Sequence, residues 1–176
     1  MLEHENTGLD FEIDELTNSI RNVVTNDSFQ TTISRLTKSD LKSITKKKGW
    51  LFNWRQELSF PERDVFKLTI VNNQHIVQGL ISLEVKTDHV YMHLVESAPF
   101  NKGKGKIYSG VPGNLVAFAC KISFQRGHEG NIAFISKTQL IEHYIKTLGA
   151  IHFGGRLMII NTNSALRLVN KYYSNL

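Results

Sequence analysis

Cysteine is nearly absent from this chain, and so are long apolar runs. The single thiol, Cys120, rules out an internal disulfide and suits a reducing compartment, so the expected location is cytoplasmic. It sits in the apolar run LVAFACKI and reads as a buried small hydrophobe. No apolar stretch nears the roughly 18 residues that span a bilayer, and the opening MLEHENTGLDFEIDE lacks the basic and apolar regions of an export signal. No His-Glu-x-x-His or paired-cysteine pattern offers a metal site. His89 and His93, four apart in a strand, would stand about 13 Å apart. Neither a Gly-x-Ser-x-Gly elbow nor a P-loop spacing occurs.

Basic residues are missing from the first fifteen positions, which carry six acids. The rest holds 21 bases against 10 acids, a surplus that suits an anionic ligand such as a nucleotide cofactor or RNA. Residues 1–17 read as an acidic, loosely attached arm that could meet a basic partner, and residues 18–176 as one domain.

Val65–Val71 and His75–Val85 are rich in β-branched residues and flank the turn Asn72-Asn73-Gln74, and Val90–Val95 completes a meander. Asn18–Thr25 and Phe29–Leu36 are also β-rich, and Thr37–Asp40 resembles a helix start. Alternation follows: helix 114–126, strand 131–135, helix 137–147, a short strand 151–153, strand 156–160 and helix 164–173. Leu115, Phe118, Ala119 and Ile122 form an apolar helical stripe, and Leu140, Ile141, Tyr144, Ile145 and Leu148 form another. The expected fold is α/β of the mixed α+β kind, with a mostly antiparallel sheet and helices on both faces.

The central strand runs into a loop with Gly103, Lys104, Gly105 and Lys106, then into Tyr-Ser-Gly-Val-Pro-Gly-Asn at 108–114. A glycine-bearing loop opening a helix presents backbone N–H groups to phosphate. Loop flexibility is the competing reason for the glycines and lysines. Hairpin, central strand, glycine loop, helix, strand, helix and the turn Leu148-Gly149-Ala150 resemble the GCN5-related N-acetyltransferase superfamily over roughly residues 34–173. The chain departs from the usual pattern in three ways: Gly110 and Gly113 are separated by two residues instead of one, the connection from Val95 to Asn114 is longer, and Tyr144 precedes Gly149 by five residues instead of four.

The resemblance implies acetyl-CoA or another acyl-CoA as cosubstrate and direct transfer of the acyl group to an amine. It places Leu94 and Val95 along the pantetheine, and Lys106, Tyr108, Gly110, Val111, Gly113 and Asn114 around the pyrophosphate. Glu96 becomes the candidate base, directly or through water, because an amine with a pKa near ~10.4 is mostly charged at neutral pH. Solvent exposure, or pairing with Lys102 or Lys104, is its alternative role. A strand bulge near Val95 would free an N–H for the developing oxyanion. Tyr144 is the implied proton donor to the thiolate, with core packing as its alternative and Tyr172 and Tyr173 as further donors. The acceptor is open among a small amine, a protein amine and an aminoacyl-tRNA. Trp50, Phe52 and Trp54 either line an acceptor pocket or pack a core. A fold that only binds acyl-CoA, RNA or a protein is the competing reading.

Overall fold

The computed structural model describes residues 8–173. Its strands are β1 (Ile20–Asn22), β2 (Ser28–Phe29), β3 (Thr31–Arg35), β4 (Asp64–Ile70), β5 (Gly79–Val85), β6 (Val90–Ser97), β7 (Tyr108–Ser109), β8 (Ile132–Ile135), β9 (Ile151–Gly154) and β10 (Leu157–Ile160). Its α-helices are α1 (Trp54–Ser59), α2 (Val111–Gln125), α3 (Ile141–Leu148) and α4 (Thr162–Tyr172). Seven strands form a mixed sheet in the order β3-β4-β5-β6-β8-β10-β9, and β2-β1-β7 form a small second sheet. Every pairing is antiparallel except that of β6 with β8.

Successive strand residues point to opposite faces, and here both faces are covered. Phe66, Ile81 and Leu83 join Leu115, Val116 and Ala119 of α2 and Leu168 of α4 in the larger core. Their strand neighbours Val65 and Leu80 face the other way, into a second core with Leu41, Trp50 and Trp54. Trp50 and Trp54 are thus core residues, and Phe52 packs partly against them.

Several boundaries differ from the sequence reading. β5 begins at Gly79, not His75, because the connection from β4 turns through residues 71–76, with the Asn73 amide bonded to the Ile70 carbonyl. Residues 40–43 and 46–48 form 3₁₀ turns in place of a helix. Helix α1 was not anticipated; Asn53 caps it by accepting from the Gln56 amide at 3.0 Å. Helix α2 starts at Val111 instead of Asn114, so Pro112 lies inside its first turn, where a missing N–H is tolerated.

The expected arm divides. Residues 1–7 lie outside the described residues. Residues 9–14, Leu-Asp-Phe-Glu-Ile-Asp, run through the fold with Leu9, Phe11 and Ile13 buried in the larger core. The Leu9 amide donates to the Ile135 carbonyl at 2.7 Å, and the Leu9 carbonyl accepts from the Lys137 amide at 3.1 Å. Loose attachment does not describe this segment.

Candidate active site

β6 and β8 pair at only two positions, Val90 with Ile132 and Tyr91 with Ala133, and then part. Beyond that point β6 continues to Ser97 on β5 alone. The β5–β6 register shifts there: Ser82 faces Leu94 while Leu83 faces Met92, so His93 has no partner. An extra residue of this kind bends the strand and increases its twist, which accounts for the divergence. The bulge lies at His93, two residues before the position expected from sequence.

A cleft of about 250 Å3 lies between the free end of β6, the loop 101–106, Pro112, and Leu51 with Phe52. Asp10, Phe11, Glu12 and Asp14 form its remaining wall. Val95 and Glu96 line it, whereas Leu94 packs towards the second core.

Glu96 is 2% exposed and fully engaged. One oxygen accepts from the Leu51 amide at 2.7 Å and the Lys102 ammonium at 2.6 Å. The other accepts from the Phe52 amide at 3.3 Å and the Trp54 indole N–H at 2.8 Å. A carboxylate has about four lone-pair positions, so none remains for an incoming amine. The pairing with Lys102 anticipated from sequence is present, but exposure is not.

Tyr144 is wholly buried, with its hydroxyl donating to the Phe11 carbonyl at 2.6 Å. Its ring meets Phe11 and Phe134 at centroid distances of 5.0 and 5.3 Å. Burial pushes its pKa above the usual tyrosine value. Burial likewise raises Tyr172, and raises Tyr173 to about 12.

The start of α2 is engaged with the chain's own N-terminal segment. Gly110, at φ 96°, is the N-cap, and its amide donates to the Asp14 carboxylate at 3.0 Å. Lys106 reaches the other Asp14 oxygen at 2.9 Å. The Asn114 amide donates to the carbonyls of Thr17, Ser19 and Gly110. A Cβ on Gly113 would collide with the Tyr172 hydroxyl and come within 3.0 Å of the Glu15 carbonyl. Val111 is buried, and Tyr108 belongs to the small sheet, paired with Asn22 and stacked edge-on against Phe29. The structure therefore gathers Val95, Glu96 and Lys106 at one cleft. It turns Gly110, Gly113, Asn114 and Tyr144 towards residues 10–19.

A second titratable pair was missed in the sequence. The bulged His93 meets Glu84 at 2.8 Å, and Glu84 also pairs with Lys86 at 2.7 Å. Burial lowers the His93 pKa, and the Glu84 carboxylate partly opposes that shift. Lys86 and then His93 hold Glu84 below the ordinary glutamate value. His93 and Tyr91 line an opening of about 430 Å3 with Ile135 and Arg156, where β6 and β8 begin to part. The His89/His93 spacing, considered only for metal binding, was the one available signal.

Three solved structures share this architecture. Spermidine/spermine N-acetyltransferase SpeG from Vibrio cholerae superposes with a TM-score of 0.54 at 17% identity, covering 78% of this chain and 96% of that one. The Vibrio cholerae enzyme in complex with CoA and spermine gives 0.51 at 16% identity, over 78% and 98%. The KacTA–DNA complex gives 0.50 at 12% identity, over 79% and 98%. No protein-family model matches the chain, and no curated protein matches it in sequence. At these identities the likeness speaks to architecture alone: the mixed seven-stranded sheet with its helices is the fold shared with these N-acetyltransferase structures.

Proposed function

We propose that this chain transfers an acetyl or related acyl group from acyl-CoA to an amine by direct attack. The observation that carries this reading is the parting of β6 from β8 at a bulge, with a cleft at the free end of β6 that reaches Lys106 and Pro112 at the start of α2. The edge of β6 that β8 leaves unpaired, along Leu94, Val95 and Glu96, offers backbone groups to the pantetheine. The helix start at Gly110, Val111 and Gly113, flanked by Lys106 and Tyr108, offers backbone N–H groups and charge to the pyrophosphate, while Asn114 holds Thr17 and Ser19 beside it.

The acceptor approaches from the His93 side. His93, oriented by Glu84, takes the proton from the ammonium, and the freed amine attacks the thioester carbonyl. A C–N bond forms, and the oxyanion is held by a backbone N–H at the bulge. The C–S bond then breaks, the thiolate takes the Tyr144 proton, and the proton left on the amide nitrogen passes through water to restore Tyr144. Glu96, with its four acceptor positions filled, fixes Leu51, Phe52 and Trp54 at the cleft mouth and does not move a proton.

The test is a thiol-release assay with acetyl-CoA and a panel of amines, run beside His93→Ala. Turnover lost in the variant with CoA binding retained supports the reading. Failure of the unaltered protein to bind CoA by calorimetry would overturn it.

A second reading, a module that binds RNA without catalysis, is favoured by one observation. Between Leu41 and Gln56 there are five cations, Lys42, Lys46, Lys47, Lys48 and Arg55, and no acid. None has an ion pair among the described residues. Filter retention of RNA that falls steeply with salt, without thiol release, would select this reading.

A further inference from the structure

Where β6 leaves β8, the chain's own N-terminal segment takes its place. Leu9 forms a parallel bridge with Ser136: its amide donates to the Ile135 carbonyl, and its carbonyl accepts from the Lys137 amide. The Ser136 amide points the other way, to the Arg156 carbonyl at the start of β10, at 2.9 Å. Leu9 therefore stands on the edge of β8 that faces β6. Residues 9–14 alternate between buried and exposed, as an extended chain does. In such a chain the N–H and C=O of one residue share a side, and those of the next residue point to the opposite side.

Residues 9, 11 and 13 turn their backbone groups to β8 and α3: the Phe11 carbonyl accepts from the Tyr144 hydroxyl, and the Ile13 amide donates to His143 Nε2 at 2.9 Å. Those of Asp10 and Glu12 face the other way, towards the cleft that both residues line, and have no partner among the described residues. The bulge at His93 sets β6 in the matching sense. The Ala98 amide donates to the Gln78 carbonyl at 2.9 Å, and Gly79 faces Ser97 while Leu80 faces Glu96. That register gives the backbone groups of Glu96 to β5 and turns those of Val95 and Ser97 to the cleft. Two polar backbone edges thus face each other across a space of about 250 Å3. An extended ligand carrying secondary amides can bridge such edges as a strand would.

We infer that Asp10 and Glu12 are positioning residues of the donor cleft: their backbone groups form a second rail, opposite Val95, that holds the amide-bearing arm of the acyl donor. The inference rests on the acyl-CoA reading above and adds that the N-terminal segment, in place of β8, supplies the far side of the slot. Ion pairs of Asp10 with Lys137 and of Asp14 with Lys106 pin the rail at both ends.

The test is amide hydrogen exchange on the full chain, read residue by residue by NMR, with CoA and with its nucleotide half alone, phosphoadenosine diphosphate. Exchange at Glu12 and Val95 is expected to slow with CoA and not with the nucleotide half, while the Leu9 amide, bonded to Ile135, stays slow in every state. Calorimetry on Glu12→Pro, which removes the N–H and keeps an extended backbone, supplies a second arm. CoA should bind about fivefold more weakly, the worth of one hydrogen bond, with the nucleotide half unaffected. CoA bound to the unaltered protein without slowed exchange at Glu12 overturns the inference and leaves the acyl-CoA reading intact. So does a Glu12→Pro affinity that is unchanged, or that falls equally for both ligands. Absence of CoA binding by the unaltered protein removes that reading, and the inference with it.

Discussion

The indole N–H of Trp54 donates to the Glu96 carboxylate at 2.8 Å, joining the first residue of α1 to the end of the central strand across 42 residues of sequence. With Leu51, Phe52 and Lys102 on the same carboxylate, Glu96 acts as a buried post around which the cleft mouth is built. Its replacement by alanine strands two backbone amides and an indole N–H, and loss of a buried charged partner destabilises by about 3 kcal/mol or more. Glu96→Ala should therefore shift the urea midpoint strongly. A variant of unaltered stability with turnover abolished would restore Glu96 as the base.

With His93 as the proposed base, the activity should carry its pH dependence. It is held below the ordinary histidine value chiefly by burial, so it is neutral and able to accept a proton at pH 7. The charged groups around it are Glu84, Arg63 and Glu57, with Lys86 on Glu84. The acid limb of kcat/KM is expected below the usual histidine value of about 6.5. Glu84→Gln removes the group that raises the His93 pKa, so the limb should move further towards acid. Stability follows the same sign: a histidine whose folded pKa is depressed contributes fully above its unfolded value and progressively less as pH falls towards the folded one. A limb above 6.5, or one indifferent to Glu84, would exclude His93.

Cys120 should behave as an inert core residue. It is completely buried within α2, and burial pushes its thiol up to about 12. Only the thiolate reacts, so native protein at pH 8 should show no labelling by a thiol reagent, and denatured protein should show one equivalent. Rapid native labelling would place the cysteine at an opening that the packing of α2 does not provide.

Where the chain is periodic, the sequence was readable. The meander of β4, β5 and β6 follows from β-branched runs, and α3 from the spacing of Ile141, Tyr144 and Leu148, all of which are buried. Three features escaped for distinct reasons. The acids of residues 10–15 look like a solvated charge run, because their partners, Lys137, Gly110, Lys106 and Ser109, lie some ninety residues or more away. His93 was hidden because a bulge breaks the two-residue period that assigns side chains to faces. Glu96 was legible as a strand-end acid near the cleft, but the loop 51–54 that saturates it has no periodic signature of its own.

Tyr144 separates packing from chemistry most sharply. Its ring fills the core between Phe11 and Phe134, and its hydroxyl makes one buried hydrogen bond, to the Phe11 carbonyl. Phenylalanine keeps the ring contacts and removes only the O–H, and the net worth of such a bond is about 1 kcal/mol. In a chain of this length that corresponds to a melting temperature lower by roughly 2–4 °C. A structural hydroxyl would produce that shift and nothing more. A hydroxyl that protonates the departing thiolate would also lower kcat, with the affinity for CoA retained, because its interaction develops only as the C–S bond breaks. Tyr144→Phe is expected to show both effects, and the fall in kcat should shrink with an acyl donor whose leaving thiol is more acidic. A melting shift with kcat intact would assign Tyr144 to the core alone and leave the thiolate to be protonated by another group or by water.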